Sequence, residues 1–367
     1  MIDRIELRNL KCFAELAVPM SQLTLLAGAN ATGKSSLLQS LLLLRQSYDL
    51  GLLADGRLGL NGNLTQLGRA ADALHVDAED EVIAITLEES GSRLNWSFAY
   101  DRNSDVLRAH EAVAREDLEN SAIFGAGFRY LQAERLGPRV TAPVSEFEVH
   151  ERASLGTQGE YTAHFLARYG EDSAPNEKVV PSNSSSGSIR SATEAWMREI
   201  APGVRINVTP HPAMDVMQLQ FAFERTGDVT NAFRPPNVGF GITYALAPVV
   251  ALVSAEPGDI LLLENPEAHL HPHAQTTIAR LIALTASAGV QVIVETHSDH
   301  ILNGFRVAVV DGALPPEALG IRFFEWEGGR QPVMRSPVMD DSGRLNVWPH
   351  GFFDEWDNSL EALIGGS

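Results

Sequence analysis

Three short, largely apolar runs organise this chain, and each leads into residues able to do chemistry. Leu23-Thr24-Leu25-Leu26 reads as a buried strand and leads into the glycine-rich segment Gly28–Ser35. Ile260-Leu261-Leu262-Leu263 reads as a second strand, ending at Glu264, and Val290-Gln291-Val292-Ile293-Val294 as a third, ending in Glu295-Thr296-His297-Ser298. Apolar runs without alternation fit strands covered on both faces, as parallel sheets require. Leu37-Leu38 and Leu41–Leu44 predict a buried helix directly after the glycine-rich segment, and Tyr244–Val253 predicts another. Elsewhere the pattern alternates. Met1–Leu7 predicts a strand, and Glu81–Leu87 with Leu94–Tyr100 predicts a hairpin turning at Ser90-Gly91-Ser92. Ala192–Ile200 predicts a short helix and Ile321–Trp326 a late strand, so the class is α/β.

Composition narrows the classes. A chain of 367 residues holds one large domain or two ordinary ones. No apolar run approaches the length that spans a bilayer, so no membrane partner is expected. The N-terminal segment lacks the basic and apolar regions of a signal peptide, which predicts a cytoplasmic location. Cys12 is the sole cysteine, which excludes an internal disulfide and a thiolate zinc cluster. A net charge of −19 argues against broad affinity for nucleic acid, which rests on Lys and Arg; a local basic groove stays open. Ser182–Ser188 reads by composition as a flexible loop tip, and there are no sustained heptads.

Gly28-Ala29-Asn30-Ala31-Thr32-Gly33-Lys34-Ser35 fits G-x-x-x-x-G-K-[ST], and its strand-before, helix-after setting is that of a phosphate-binding loop. The glycines let backbone N–H groups turn inward around a phosphate, and the helix that follows directs its positive dipole end there. Lys34 is placed to reach the outer phosphates and Ser35 to hold Mg²⁺, with Asn30, Gly33 and Ser36 as further nucleotide contacts. Such a loop needs a carboxylate at the end of another strand to organise the metal, and Glu264 stands at such an end. His297, 33 residues on, leaves room for one helix and a return strand, so its strand is predicted beside that of Glu264. There it is a candidate to hydrogen-bond a terminal phosphate or the attacking water, with a capping role as the alternative. Asn237-Val238-Gly239-Phe240-Gly241-Ile242-Thr243 places glycines at another helix N-terminus, an anion-binding arrangement or simply a tight turn.

These pieces in this order resemble ABC-type ATPase heads, more narrowly the RecF and SMC relatives and the overcoming-lysogenization-defect (OLD) and Septu-type ATPases of bacterial phage defence. Asn9-Leu10-Lys11-Cys12-Phe13 resembles the opening motif of that group, which implies that Lys11 approaches the nucleotide phosphates. Gly28–Ser35 corresponds to the Walker A loop, Glu264 to the Walker B acid, Glu267-Ala268-His269-Leu270-His271-Pro272 to an OLD-type D-loop, and Thr296-His297-Ser298 to the switch histidine. Gly239-Phe240-Gly241 falls at the signature position. Trp348-Pro349-His350-Gly351-Phe352-Phe353-Asp354 resembles the tail of a bacterial subfamily of these ATPases, and Arg129–Arg139 resembles a subfamily block without an assignable role.

Two departures matter. The resemblance implies a second acid after Glu264, where this chain has Asn265, and an amide cannot accept a proton as a carboxylate does. Glu267 is a candidate substitute base, a turn or dimer contact being the alternative. The signature serine is replaced by Phe240, with the backbone N–H groups of Gly239 and Gly241, or the Thr243 hydroxyl, as stand-ins.

The resemblance implies an ABC-type P-loop NTPase head with a mixed central sheet, an antiparallel β-lobe and an inserted α/β segment. The expected division is 1–110 for the N-terminal half of the head, 111–215 for the insertion and 216–367 for the C-terminal half. Gln66 is a candidate Q-loop residue or a plain loop glutamine. The expected function is an ATP- and Mg²⁺-dependent ATPase switch that dimerises head to head with a second copy. It would act on a separate effector in anti-phage defence, because no acidic cluster after His297 indicates a fused Toprim nuclease. Two alternatives stand beside it: a RecF-like DNA repair or replication ATPase, and a nucleotide-binding scaffold with little hydrolysis, motivated by Asn265.

Overall fold

In the computed structural model, which describes residues 1–225, 228–329, 331–349, 351–353 and 355–364, the apolar run at Leu23 forms the strand Leu23–Gly28 and the leucine cluster forms the helix Lys34–Asp49. The chain folds into two units. The first holds residues 1–125, 297–299 and 316–367; the second holds 126–296 and 300–315. The segment 111–215, expected as an insertion, is thus divided, with 111–125 in the first unit and 126–215 in the second.

The first unit contains a six-stranded antiparallel sheet built from Ile2–Leu10, Phe13–Pro19, Arg57–Gly59, Val82–Glu89, Ser92–Ala99 and Val106–Ala109. The predicted hairpin is its centre, paired from Val82↔Ala99 to Glu89↔Ser92. Alternation sets its burial: Ile83, Ile85, Leu87, Trp96 and Phe98 face the core while Glu88 and Arg93 pair at the surface. In the same unit Leu23–Gly28 runs parallel to Leu319–Glu325, the late strand of the sequence. Five consecutive residues of Leu23–Gly28 are buried, which is why the run does not alternate. The helix Lys34–Asp49 buries Leu37, Leu38 and Leu41–Leu44, and its Arg45 donates to the carbonyls of Ile123 and Gly125 at 2.9 and 2.7 Å.

The second unit carries the other two apolar runs. Ile260–Glu264 lies parallel to Gln291–Glu295 on one side, with Glu264 opposite Glu295, and parallel to Phe128–Leu131 on the other. Helix Phe240–Val253 is apolar around its whole girth and buried from Ala245 to Val253, a core helix rather than a surface one. It packs against helices Ile189–Ile200 and Pro272–Ser287. A hairpin, Val204–His211 with Val216–Arg225, completes the unit. The serine run before Ile189–Ile200 is tied down by hydrogen bonds: Ser191 Oγ contacts Ser184 Oγ and Ser185 Oγ at 2.7 and 2.8 Å, and Ser188 Oγ caps the helix from the Ser191 N–H.

Candidate functional site: a phosphate loop and an acidic strand end

The phosphate loop starts and ends where only glycine fits. Gly28 has φ +140°, and a Cβ there would run into the Phe324 carbonyl oxygen of the neighbouring strand. Gly33 has φ +95°, and a Cβ would meet the Phe13 ring and the Cys12 sulfur. Between them Ala31 also lies in the left-handed region, at φ +61°. The Lys34 ammonium, on a residue 3% exposed, donates to the Gly28 and Ala29 carbonyls at 2.9 and 2.8 Å. Thr32 Oγ1 donates to the Ala29 carbonyl at 2.8 Å, and the Trp326 indole N–H donates to the Ala31 carbonyl at 3.2 Å. Asn30 on the loop and Ser35 in the first turn of the helix are exposed, while Ser36 is buried and its hydroxyl lies 3.7 Å from Cys12 Sγ.

Lys11 reaches the same helix by an unusual turn. Asn9 and Lys11 have φ of +54° and +53°, and the Lys11 ammonium donates to Gln39 Oε1 at 2.7 Å. Burial lowers its pKa, and the neighbouring Cys12 acts in the opposite direction. His297, in the same unit, is held below its ordinary pKa first by partial burial and then by the Lys34 ammonium. Its imidazole is therefore neutral at pH 7, able to donate from one nitrogen and accept at the other. Gln66 is exposed, in a bridge opposite Asn61.

At the acidic strand end, the Glu264 carboxylate is gripped on both oxygens. Tyr130 OH donates to Oε1 at 2.8 Å and the Ala133 N–H donates to Oε2 at 3.1 Å. Each oxygen keeps a lone pair, so the group fits a divalent cation. Burial, and then the Glu264 charge, push the Tyr130 phenol far above its ordinary pKa, so it stays a donor. Arg135 donates to the Glu264 carbonyl at 2.9 Å and also to the Asn265 carbonyl. Asn265 sits at φ +42°, its N–H donates to the Glu295 carbonyl at 2.8 Å, and its Oδ1 is buried with no hydrogen-bond partner. That oxygen can accept from a water but cannot take its proton. Glu267 is buried and accepts from the Thr296 hydroxyl.

Helix Phe240–Val253 begins at Gly239 without a side-chain cap, so its first N–H groups lack helical partners. A Cβ at Gly241 would press on the His269 carbonyl, 2.7 Å away, so the turn and the Glu267–Pro272 segment are in close packing. Phe240, 57% exposed, forms a ring cluster with Tyr244 and His269, with centroids 6.1 and 6.0 Å away. Thr243, offered above as a stand-in for the signature serine, has its Oγ1 buried. The helix already starts four residues before Tyr244 and turns that hydroxyl inward. Among the described residues no group of three or more His, Cys, Asp or Glu side chains could hold a metal ion, and no helix is long and apolar enough to cross a membrane.

A phosphate loop between a parallel strand and a helix, an acid ending a second parallel strand, and an antiparallel sheet beside the loop define a P-loop ATPase head of ABC/SMC type. The chain belongs to the family described as "AAA domain, putative AbiEii toxin, Type IV TA system", which matches residues 23–303. Residues 314–363 match a second family, described as "Protein of unknown function (DUF3696)". No curated protein matches the sequence. Among solved structures, the SMC head bound to the C-winged helix domain of ScpA is similar at 13% identity and a TM-score of 0.59, covering 93% of this chain and 98% of that one. The Smc head domain with an extended coiled coil bound to the C-terminal domain of ScpA, derived from Pyrococcus furiosus, is similar at 12% identity and a TM-score of 0.54, covering 99% of both. At such identities the likeness speaks for the fold.

The structure puts Lys11, Asn30, Gly33, Lys34, Ser35, Ser36 and His297 in the first unit, and Gly239, Gly241, Glu264 and Glu267 in the second. Sequence reasoning missed Tyr130, the Ala133 N–H and Arg135. The signal was the Arg129–Arg139 block, whose apolar Tyr130-Leu131 sits opposite Leu262-Leu263 in the parallel ladder. His350 and Asp354 of the tail motif lie outside the described residues, whereas Phe352 is fully buried and packs edge-on against Phe323 at 5.0 Å.

Proposed function

We propose that the chain is an ATP- and Mg²⁺-dependent switch that closes head to head with a second copy and passes that closure to a separate effector. The phosphate loop carries the nucleotide reading: two glycines that tolerate no side chain, with a buried lysine directly after the second. When bound, ATP would supply the phosphate charge that Lys34 and Lys11 meet, and Mg²⁺, held by Ser35 and Glu264, would offset the rest. Asn30, Gly33 and Ser36 complete the nucleotide contacts. Neutral His297 reads the terminal phosphate, and the Gly239–Gly241 turn of one copy serves the nucleotide of the other. Nucleotide binding and closure are then one linked equilibrium.

The effector and the phage-defence setting rest on the resemblance to OLD and Septu-type ATPases. The similar SMC heads are described as bound to ScpA domains, which supports a head of this fold that works through a separate protein. Asn265 favours a second reading, a switch that binds ATP and turns it over slowly, with Glu267 as the remaining base.

The test is calorimetric titration of ATP with Mg²⁺, alongside light-scattering mass. Lys34→Ala is expected to lose about tenfold or more in affinity, from the charge-assisted contacts removed. The parent is expected to double in mass with ATP while Lys34→Ala stays monomeric. Equal ATP affinity in both, with mass unchanged by nucleotide, refutes the proposal.

A further inference from the structure

Arg135 is a buried cation in an odd setting. It is 3% exposed, and the oxygens to which its guanidinium donates among the described residues are main-chain carbonyls, not carboxylates. Its Nη1 donates to the main-chain carbonyls of Glu264 at 2.9 Å and Gln132 at 3.3 Å, while Nη2 donates to the Asn265 carbonyl. Its Cζ lies 5.9 Å from the centre of the Tyr244 ring, on the helix that starts at the Gly239–Gly241 turn. That ring in turn stands edge-on to His269 at 4.5 Å. Desolvation brings the guanidinium down to about 10, still charged at pH 7, with Glu267 the strongest of the charges that hold it up. Burying such a charge is costly, and one cation is here spent on the carbonyls of the acidic corner and one ring of the turn helix.

The carbonyl that Arg135 holds on Asn265 also accepts the Ala268 N–H at 3.0 Å, so the fork fixes the corner at its left-handed residue. Lysine, with a single nitrogen on a flexible stem, cannot reproduce this fork of two nitrogens held in one plane. Resting on the function proposed above, we infer that Arg135 is a positioning residue: it sets the Glu264–Asn265 corner and, through the Tyr244 ring, ties that corner to the start of the Gly239–Gly241 helix. A change at the turn is thereby transmitted to the acid along a contiguous chain of contacts, Tyr244 to Arg135 to the Glu264 and Asn265 carbonyls.

Arg135→Lys and Tyr244→Leu test this in the full chain by two readouts. The first needs no activity. Hydrogen exchange of the amides at 240–246 and 265–270 is expected to speed up by about tenfold in both variants, with the Val204–His211 hairpin of the same unit unchanged. The second separates positioning from binding: ATP affinity stays within about threefold of the parent while turnover falls by about tenfold or more. Exchange that is unchanged at 265–270, or that rises equally in the hairpin, overturns the inference, since the first shows no positioning and the second only general loosening. A parent that neither binds nor hydrolyses ATP sinks the function proposal instead, and the exchange data still decide the role of Arg135.

Discussion

Gly33→Ala should be a double injury to the phosphate loop, and its two parts can be measured separately. At φ +95° any L side chain is strained, which costs about 1–2 kcal/mol. The new methyl group would also meet the Phe13 ring and the Cys12 sulfur. Phe13 is completely buried and has no room to step aside, so overpacking adds about 1–3 kcal/mol. The sum is a destabilisation of about 2–5 kcal/mol. Gly51 provides the control, with φ +69° and nothing within 4 Å of the position a Cβ would take. Gly51→Ala should therefore show the backbone part alone, about 1–2 kcal/mol. Urea unfolding followed by far-ultraviolet circular dichroism compares the two variants, and ATP titration should show a loss of about tenfold or more for Gly33→Ala and none for Gly51→Ala. If Gly33→Ala is no less stable than Gly51→Ala, the collision is not real and the argument for a glycine at that end of the loop fails.

Three further outcomes are expected. Neutral His297 gains a proton more readily once phosphate charge arrives, since its pKa is lowered in the free protein by burial and Lys34. ATP affinity should therefore rise as pH falls from about 8 to about 6 in the parent, with proton uptake seen in calorimetry across two buffers, and stay flat in His297→Gln. Asn265→Glu supplies the missing carboxylate, so phosphate release should increase by about tenfold to a hundredfold; an unchanged rate removes the slow-switch reading. Tyr130→Phe removes a 2.8 Å donor from the Glu264 carboxylate, a loss of about 1.5–3 kcal/mol to the ionised form. The Mg²⁺ concentration that gives half-maximal turnover should then rise by about tenfold or more, and an unchanged value contradicts the grip of Tyr130 on Glu264.

The elements that carry the chemistry were legible because each combined a run of apolar residues with a marked end. Leu23–Leu26 with Gly28, and Ile260–Leu263 with Glu264, are patterns local to a few residues. What could not be read is what those ends touch. Tyr130 meets Glu264 only because Phe128–Leu131 pairs with Ile260–Leu263, and periodicity says that a strand is buried, not which strand lies beside it. The same holds for Phe13 against Gly33 and for Trp326 on the Ala31 carbonyl, contacts made by tertiary packing. Thr243 shows the limit at closer range. Its hydroxyl was readable as a stand-in for the signature serine until the helix phase, set by a start at Phe240, turned it inward.

The parallel ladder of Phe128–Leu131 with Ile260–Leu263 has a consequence for how the chain can vary in length. Its register pairs Leu262 with Tyr130 and Leu263 with Leu131, one for one. Inserting or deleting a single residue in either strand would move every position beyond it to the other face of the sheet and carry Tyr130 off the Glu264 carboxylate. Between the two strands lies more than a third of the chain, including the serine loop at 182–188, and there additions at the surface leave the pairing untouched. Homologous chains should therefore differ freely in length between these strands and hold a fixed count within them, so that gaps in an alignment mark the edges of the acidic corner.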